Sequence, residues 1–229
     1  MMRITDVIRV LQFGDSVLPV GAFAFSNGLE TAVHEGHVRD VAELEAFVRT
    51  ACSRAAATDG IALLEAHRGA RVDDMARVIR ADHAAYNRKL SEEQRTMSVR
   101  MGKKLAEVAS HVVAKPAITA WLSRINEGAT PGCYPIGLGL VFAAQGLSEH
   151  EAFAVHQYGV AAMMLGASLR LLRIRYVEAQ SILYRVNATA ETEYERYSTC
   201  TLDDMAAFAP MMDILAATHV KAHVRLFMS

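Results

Sequence analysis

The sequence predicts an all-α protein, a single-domain bundle of about ten helices spanning residues 1–229. Helix start and stop signals recur along the whole chain, apolar residues repeat at helical spacing, and no segment sustains the two-residue alternation of a strand. A chain of 229 residues is long enough to enclose a sizeable core as one domain. These three observations together favour a helical bundle over any sheet-containing class.

The first two helices are indicated by one apolar repeat and one capping pattern. The repeat places four residues at the spacing of one buried helical face, namely Ile4, Val7, Ile8 and Leu11. Gly14 can end this helix. Asn27 followed by Glu30 has the pattern of a capping box, which predicts the start of a second helix that Gly36 ends.

Capping residues or a proline predict where the next helices begin. In order along the chain, these start signals are Asp40, Asp59, Asp73 or Asp74, Ser91 and Pro116. Ser148 with Glu151 begins a helix that becomes apolar all round between Tyr158 and Leu169, as is typical of the centre of a bundle. That apolar run is too short to span a bilayer. Further helices are predicted to begin near Val177, Leu202 and Met211.

Composition excludes several classes of function. A net charge of −1 argues against general nucleic-acid binding, which needs a basic surface. The N-terminal segment contains Arg3, Asp6 and Arg9 and lacks the apolar run of a secretory signal. The three cysteines are far apart and odd in number, so they form neither a disulfide framework nor a zinc pattern. We therefore expect a cytoplasmic protein that associates with neither nucleic acid nor membrane.

The residues predict no catalytic machinery, no metal site and no cofactor. Ser16 and Ser26 lie in no Gly-x-Ser-x-Gly elbow, and the chain has no phosphate-binding loop for GTP. His219 and His223 have the spacing of two metal ligands on a helix, but no third ligand is evident nearby, so a solvated C-terminal helix is expected. Cys133 is expected to pack as a small hydrophobe. An interaction protein is therefore favoured over an enzyme.

Two segments are candidates for partner binding. The first is an apolar loop between the first two helices, which contains Val17, Leu18, Val20, Phe23 and Phe25 and is made irregular by Pro19 and Gly21. Surface loops are usually polar, so this loop is either packed into the core or kept for a partner. The second is a basic neighbourhood, comprising Arg88, Lys89, Arg95, Arg100, Lys103 and Lys104. It is either a solvated helix face or a surface for an acidic protein.

The same loop resembles the start of the urease accessory protein F (UreF) family. The matching elements are Leu11-Gln12, Asp15-Ser16, Leu18-Pro19-Val20-Gly21, Phe23, Ser26 and Gly28-Leu29-Glu30. Three later segments match as well, namely Arg95 to Leu105, Tyr134-Pro135 with the Gly-rich helix that follows, and Arg225 to Ser229. The resemblance therefore spans essentially the whole chain.

The resemblance implies an all-α homodimer within a urease maturation complex. It would couple a P-loop GTPase, UreG, to a scaffold protein, UreD/UreH, on apo-urease, and regulate GTP-dependent nickel insertion without being an enzyme. The family's GTPase-facing surface carries over to Pro19, Phe23, Ser26, Glu30, Arg95 and Arg170. Its scaffold contact carries over to Arg225, Leu226 and Phe227, with the first helix nearby. Nickel and GTP are handled by the complex, so no cofactor of the chain's own is implied.

The C-terminal segment, residues 219–229, is expected to be a flexible tail. Chain ends are usually loose unless something ties them down, and an Arg-Leu-Phe cluster suits folding onto a partner. We therefore expect this segment to be loose in the free protein and to become ordered on the scaffold. Two other functions remain open at this stage, a nickel-binding metallochaperone and a helical adaptor of another complex.

Overall fold

A computed structural model describes residues 3–15, 17–22, 25–206, 209–218 and 226–227. Within these ranges the chain folds into twelve α-helices and no β-strand, which confirms the predicted all-α helical bundle. The helices of the first half are α1 Ile4–Gly14, α2 Leu29–His34, α3 Val41–Ala55, α4 Ile61–Arg71, α5 Met75–Asn87 and α6 Glu92–Val112. Those of the second half are α7 Pro116–Asn126, α8 Tyr134–Ala144, α9 Glu149–Leu171, α10 Tyr176–Asn187, α11 Ala190–Tyr197 and α12 Pro210–Thr218.

Four of the predicted helix starts are confirmed by side-chain caps. Four side chains accept the backbone N–H three residues further on, those of Asp40, Asp74, Ser91 and Ser148. The start predicted at Asp59 is wrong, because a π-helical turn, Ala56–Gly60, joins α3 directly to α4. Near Leu202 the chain forms only a 3-10 turn, Leu202–Asp204.

Helix α9 organises the core. Phe153 and Val155, in its first half, belong to one buried apolar cluster, while Met164 and Leu165, further along, belong to a second cluster. In the part of the chain that the structure describes, α9 is the one helix long and apolar enough to cross a membrane, but 56% of its apolar window is buried inside the protein. That burial is typical of a core helix.

One side of α9 is nevertheless open. Tyr158 is 40% exposed and Leu169 44% exposed, so the expected burial of the whole apolar stretch is wrong on this side. A Cβ added at Gly159 or Gly166 would meet no atom within 4 Å. A helix that is apolar on all sides is expected to be buried on all sides. Part of that burial can come from another protein chain, which leaves an apolar surface on the single chain.

The apolar face of α1 is also turned outward. Ile4 is 80% exposed and Leu11 65%, and Val7 and Ile8 are exposed as well, whereas Phe13 is buried against the body of the protein. The prediction that these four residues form a buried face is therefore wrong. The 3.6-residue period shows that a helix has an apolar face, but it does not show whether that face meets the chain's own core. An exposed apolar stripe of this kind marks a contact site.

An ion-pair network joins α4 to its neighbours and predicts acid sensitivity. Arg77 donates to both carboxylate oxygens of Glu65 at 2.8 Å, and this pairing holds the pKa of Glu65 below its usual range. A lowered folded-state pKa stabilises the protein above the unfolded-state value, and that contribution is lost as the pH falls through the folded-state value.

We therefore expect the Tm to fall between about pH 5 and pH 3, and to fall less steeply in Glu65→Gln than in the parent. Thermal melts followed by circular dichroism across this range measure the slope. Glu107→Gln, at an exposed pair with Lys104, is the matched control and should keep the parent slope. Identical slopes for all three proteins would contradict the assignment to Glu65.

Candidate partner-binding surfaces

Glu30 binds the C-terminal segment of its own chain. The side chain lies in the first turn of α2 and the residue is 2% exposed. Its Oε1 accepts the backbone N–H of Leu226 at 2.7 Å, and its Oε2 accepts that of Phe227 at 3.1 Å. A buried carboxylate needs such donors, because burying a charge without partners is costly. Glu30 therefore fixes two residues that lie 196 and 197 positions further along the chain.

The predicted capping box at the start of α2 is wrong. Gly28 is the N-cap, in a left-handed conformation with φ of 83°, and as a glycine it has no side chain that could cap the helix. Asn27 also has positive φ, 53°, and its Oδ1 accepts from Gln94 of α6 at 3.5 Å. Ser26 is buried and its Oγ accepts the Glu30 N–H at 3.4 Å. The Asn27 side chain therefore contacts α6, and the Glu30 carboxylate contacts the tail.

Phe227 reinforces this contact. The ring is buried among residues of the second apolar cluster, at 5% exposure, and the guanidinium carbon of Arg170 lies 4.4 Å from the ring centroid. A cation over an aromatic face at this distance is attractive. The structure therefore brings together two residues expected to face the GTPase, Glu30 and Arg170, and two expected to contact the scaffold, Leu226 and Phe227. We call these four residues the Glu30 cluster.

At Leu226 and Phe227 the structure differs from the expected loose tail. Two charge-assisted hydrogen bonds and a buried ring together offset the entropy that a free chain end would keep. Arg225, the remaining residue predicted to contact the scaffold, lies outside the described residues. So does the rest of the predicted flexible tail, including His219 and His223.

The apolar loop divides between core and surface. Val20 and Phe25 are buried at 7% and 3% exposure, whereas Val17 is 80% exposed and Pro19 is also exposed. The core interpretation therefore holds for Val20 and Phe25, and partner binding by the exposed residues stays a prediction. Phe23 and Ser16 lie outside the described residues, so the predicted role of Phe23 in contacting the GTPase stays a prediction.

Arg95 lies at the junction of α5 and α6. Its Nε donates to the Lys89 carbonyl at 2.8 Å, and its guanidinium carbon stands 5.3 Å from the Tyr86 ring centroid. Lys89, in turn, is only 9% exposed and binds Asp59 at 2.5 Å. The basic neighbourhood is thus partly an internal brace of this junction, and not one continuous solvated face.

A cavity of about 220 Å³ lies beneath the apolar loop, between the end of α1, α6, α8 and α9. His156 of α9 lines it at 4% exposure, and burial lowers the pKa of this imidazole to about 4, so the ring is neutral near pH 7. No hydrogen-bond partner for its Nδ1 is found among the described residues. Asp59 lines the same cavity and also an adjoining one of about 90 Å³.

The cavity does not hold a complete metal-ligand set. A neutral imidazole, a carboxylate and the thioethers of Met97 and Met163 are groups that borderline and soft cations accept. However, in the ranges that the structure covers, no cluster of three or more His, Cys, Asp or Glu side chains could hold a metal ion.

Asp82 is a structural residue that the sequence analysis missed. It is fully buried on α5 and its carboxylate accepts from Thr130 Oγ1 at 2.7 Å and from the N–H groups of Gly132 and Cys133 at 2.8 Å each. Its position on the buried line of α5, between Val78 and Ala85, is the signal that could have found it. Cys133 is buried as expected, and burial raises the pKa of its thiol.

The fold and these surfaces define an all-α protein with exposed apolar faces on α1 and α9 and a tail bound by Glu30. Comparison with known proteins gives the family. The UreF family model matches residues 38–187. Proteins named "Urease accessory protein UreF" from Yersinia enterocolitica (serotype O:8 / biotype 1B) and Yersinia pseudotuberculosis (serotype IB) are each 50% identical over 226 residues, covering 99% of both chains. The chain belongs to the UreF family of urease accessory proteins, and this membership supports a role in urease maturation.

Proposed function

We propose that this chain is a urease maturation factor that couples a P-loop GTPase of the UreG type to a scaffold protein of the UreD/UreH type on apo-urease, and thereby regulates GTP-dependent nickel insertion. The main support for this proposal is the contact between the Glu30 carboxylate and the backbone of Leu226 and Phe227. It joins the side expected to face the GTPase to the segment expected to contact the scaffold, so a change at one reaches the other without an intermediary.

The coupling follows from what the Glu30 carboxylate requires. If the scaffold takes up the tail in another conformation, the carboxylate loses two hydrogen bonds, and the Phe227 ring leaves the Arg170 guanidinium. Burying a carboxylate with fewer hydrogen bonds costs free energy, so a new donor to Glu30 would then be stabilising. A GTPase that supplies that donor binds more tightly when the scaffold is present, which is the reciprocity expected of two coupled sites.

Two exposed apolar surfaces support the remaining contacts. The stripe of α1 formed by Ile4, Ile8 and Leu11 suits the scaffold, since the same protein is expected to take up the tail. The open side of α9 at Gly159 and Gly166 suits a homodimer, because glycines let two helix backbones approach closely. An obligate interface of this kind is the usual reason for an apolar patch on a protein surface.

The cavity at His156 and Asp59 supports a part in passing nickel inward. Neutral imidazole is a normal nickel ligand, and His156 lines the cavity in its neutral form near pH 7. In this proposal nickel is cargo, GTP is bound by the partner, and the chain needs no cofactor and performs no reaction itself. We expect the chain to perform this role in the cytoplasm.

Glu30→Gln tests the coupling at nearly constant size. The neutral amide keeps one acceptor oxygen but turns an NH₂ group toward the second tail N–H, so the anchor is lost. We expect the amount of GTPase that co-purifies with the chain and scaffold to fall about tenfold, the equivalent of one charged hydrogen bond. Urease activity in cells that express the whole operon should fall with it.

Glu35→Gln is the matched control, because Glu35 is exposed at the end of the same helix. This variant should behave as the parent does. Normal urease activation in cells that carry Glu30→Gln would contradict the proposed coupling. Nickel bound tightly by the isolated chain in equilibrium dialysis would instead favour the metallochaperone.

A further inference from the structure

Helix α10 turns an unusual set of side chains to solvent. Tyr176 is 72% exposed, Tyr184 82% and Val177 42%, and Gln180 between them is exposed as well. These four positions fall within about 100° of the helix circumference. We call them the α10 outer face. The opposite side of the helix, with Ile182 and Val186, is buried in the second apolar cluster, so α10 is held rigidly and its outer face is a fixed platform.

The charges that border this face are mainly positive. Arg173 and Arg175 lie exposed just before α10, and Arg185 lies near its end. Arg175 pairs with Glu178, and Arg185 pairs with Glu45 of α3, which also binds Arg49. Four guanidinium groups thus stand against two carboxylates here, whereas the whole chain has a net charge of −1. The positive charge is therefore a local property of this surface.

This combination of side chains is that of a protein-binding surface. Tyrosine and arginine are enriched among the residues that dominate binding energy at interfaces. The ion pairs around the face are exposed, with Arg175 76% and Arg185 49% exposed, and exposed pairs contribute little to stability. A partner's carboxylates can therefore take over these arginines at small cost.

The charges around the α10 outer face favour one kind of binding partner over the others. A second copy of this chain, bound through the same face about a two-fold axis, would place the arginines of both copies opposite one another. A nucleic acid would need a longer run of cations along its backbone, whereas four guanidinium groups and two carboxylates leave an excess of only two positive charges here. A protein segment with its own carboxylates and one apolar side chain satisfies both the charge and the tyrosines.

We propose that the α10 outer face docks an acidic segment of another protein, whose carboxylates meet Arg173, Arg175 and Arg185 and whose apolar side chain lies between Tyr176 and Tyr184. This surface is separate from the Glu30 cluster in its residues and does not depend on the role proposed for that cluster.

A photo-crosslinking experiment tests the proposal in intact cells. Benzoylphenylalanine is placed at Tyr184 in the full-length chain, expressed with its urease operon, and irradiated. The control carries the same amino acid at Val72, which is 67% exposed on the turn after α4. We expect an adduct with another protein from Tyr184 alone, and sequencing of the crosslinked peptide should show an excess of Asp and Glu.

A synthetic copy of that peptide then gives the quantitative test. The affinity of this peptide for the purified chain should fall about tenfold or more in Tyr184→Ala and in Arg173→Glu. The affinity should be unchanged in Val72→Ala. Raising the salt concentration should weaken it as well. No adduct beyond the Val72 control, an adduct with a second copy or with nucleic acid, or a peptide without acidic residues would each overturn the proposal.

Discussion

Asp82→Ala is expected to lower the free energy of unfolding by about 4 kcal/mol. The carboxylate accepts three hydrogen bonds from the segment of residues 130–133, and the residue is fully buried. Removing it leaves two backbone N–H groups and the Thr130 hydroxyl without acceptors in a dry interior, where each unpaired group costs about 1–3 kcal/mol. The effect should appear as a lower midpoint in urea unfolding followed by circular dichroism.

Two further variants separate the causes. Asp82→Asn keeps the shape but has one acceptor oxygen in place of two, so its loss of stability should lie between the parent and the alanine variant. Asp203→Ala removes an exposed carboxylate and should leave the midpoint within experimental error. A loss below about 1 kcal/mol in Asp82→Ala would mean that the segment finds other acceptors, and the anchoring role would be wrong.

Local signals were sufficient for four of the helix starts. The caps at Asp40, Asp74, Ser91 and Ser148 bind a backbone N–H three residues away, so both partners of each hydrogen bond stand in one short stretch of sequence. The same locality explains the error at α2. The Asn27 and Glu30 pair has the spacing of a capping box, but positive φ at Asn27 and Gly28 redirects the chain.

The candidate site could not be assembled from patterns in the chain. Resemblance to the UreF family supplied Glu30, Arg170, Leu226 and Phe227 as separate expectations. Their contact depends on the packing of α2 and α9, because Glu30 and Phe227 are 197 positions apart. The outward face of α1 could not be predicted either, since its period is the same whether the partner is the core or another protein.

Gly102 of α6 has the shortest added-Cβ contact of the described glycines, and Gly102→Ala tests how tightly the approach of α6 to residues 132–134 is fixed. A Cβ at this position would lie 2.0 Å from the carbonyl oxygen of Gly132, 2.6 Å from the carbonyl carbon of Cys133 and 2.7 Å from the backbone nitrogen of Tyr134. All three are backbone atoms, so no side-chain rotation relieves the overlap. Either α6 or the start of α8 must move.

We expect Gly102→Ala to lower the free energy of unfolding by about 3 kcal/mol, measured by the same urea titration. Gly166→Ala is the matched control, since Gly166 is also helical and its Cβ would meet nothing within 4 Å. That variant should gain up to about 1 kcal/mol in the monomer, because alanine is the better helix former. Equal stabilities for the two variants would show that α6 can move away from residues 132–134 without a cost in stability.

The movement forced by Gly102→Ala also displaces Tyr134, which lines the His156 cavity. A drop in urease activation beyond the loss of folded protein is therefore expected, and it would tie the shape of that cavity to function.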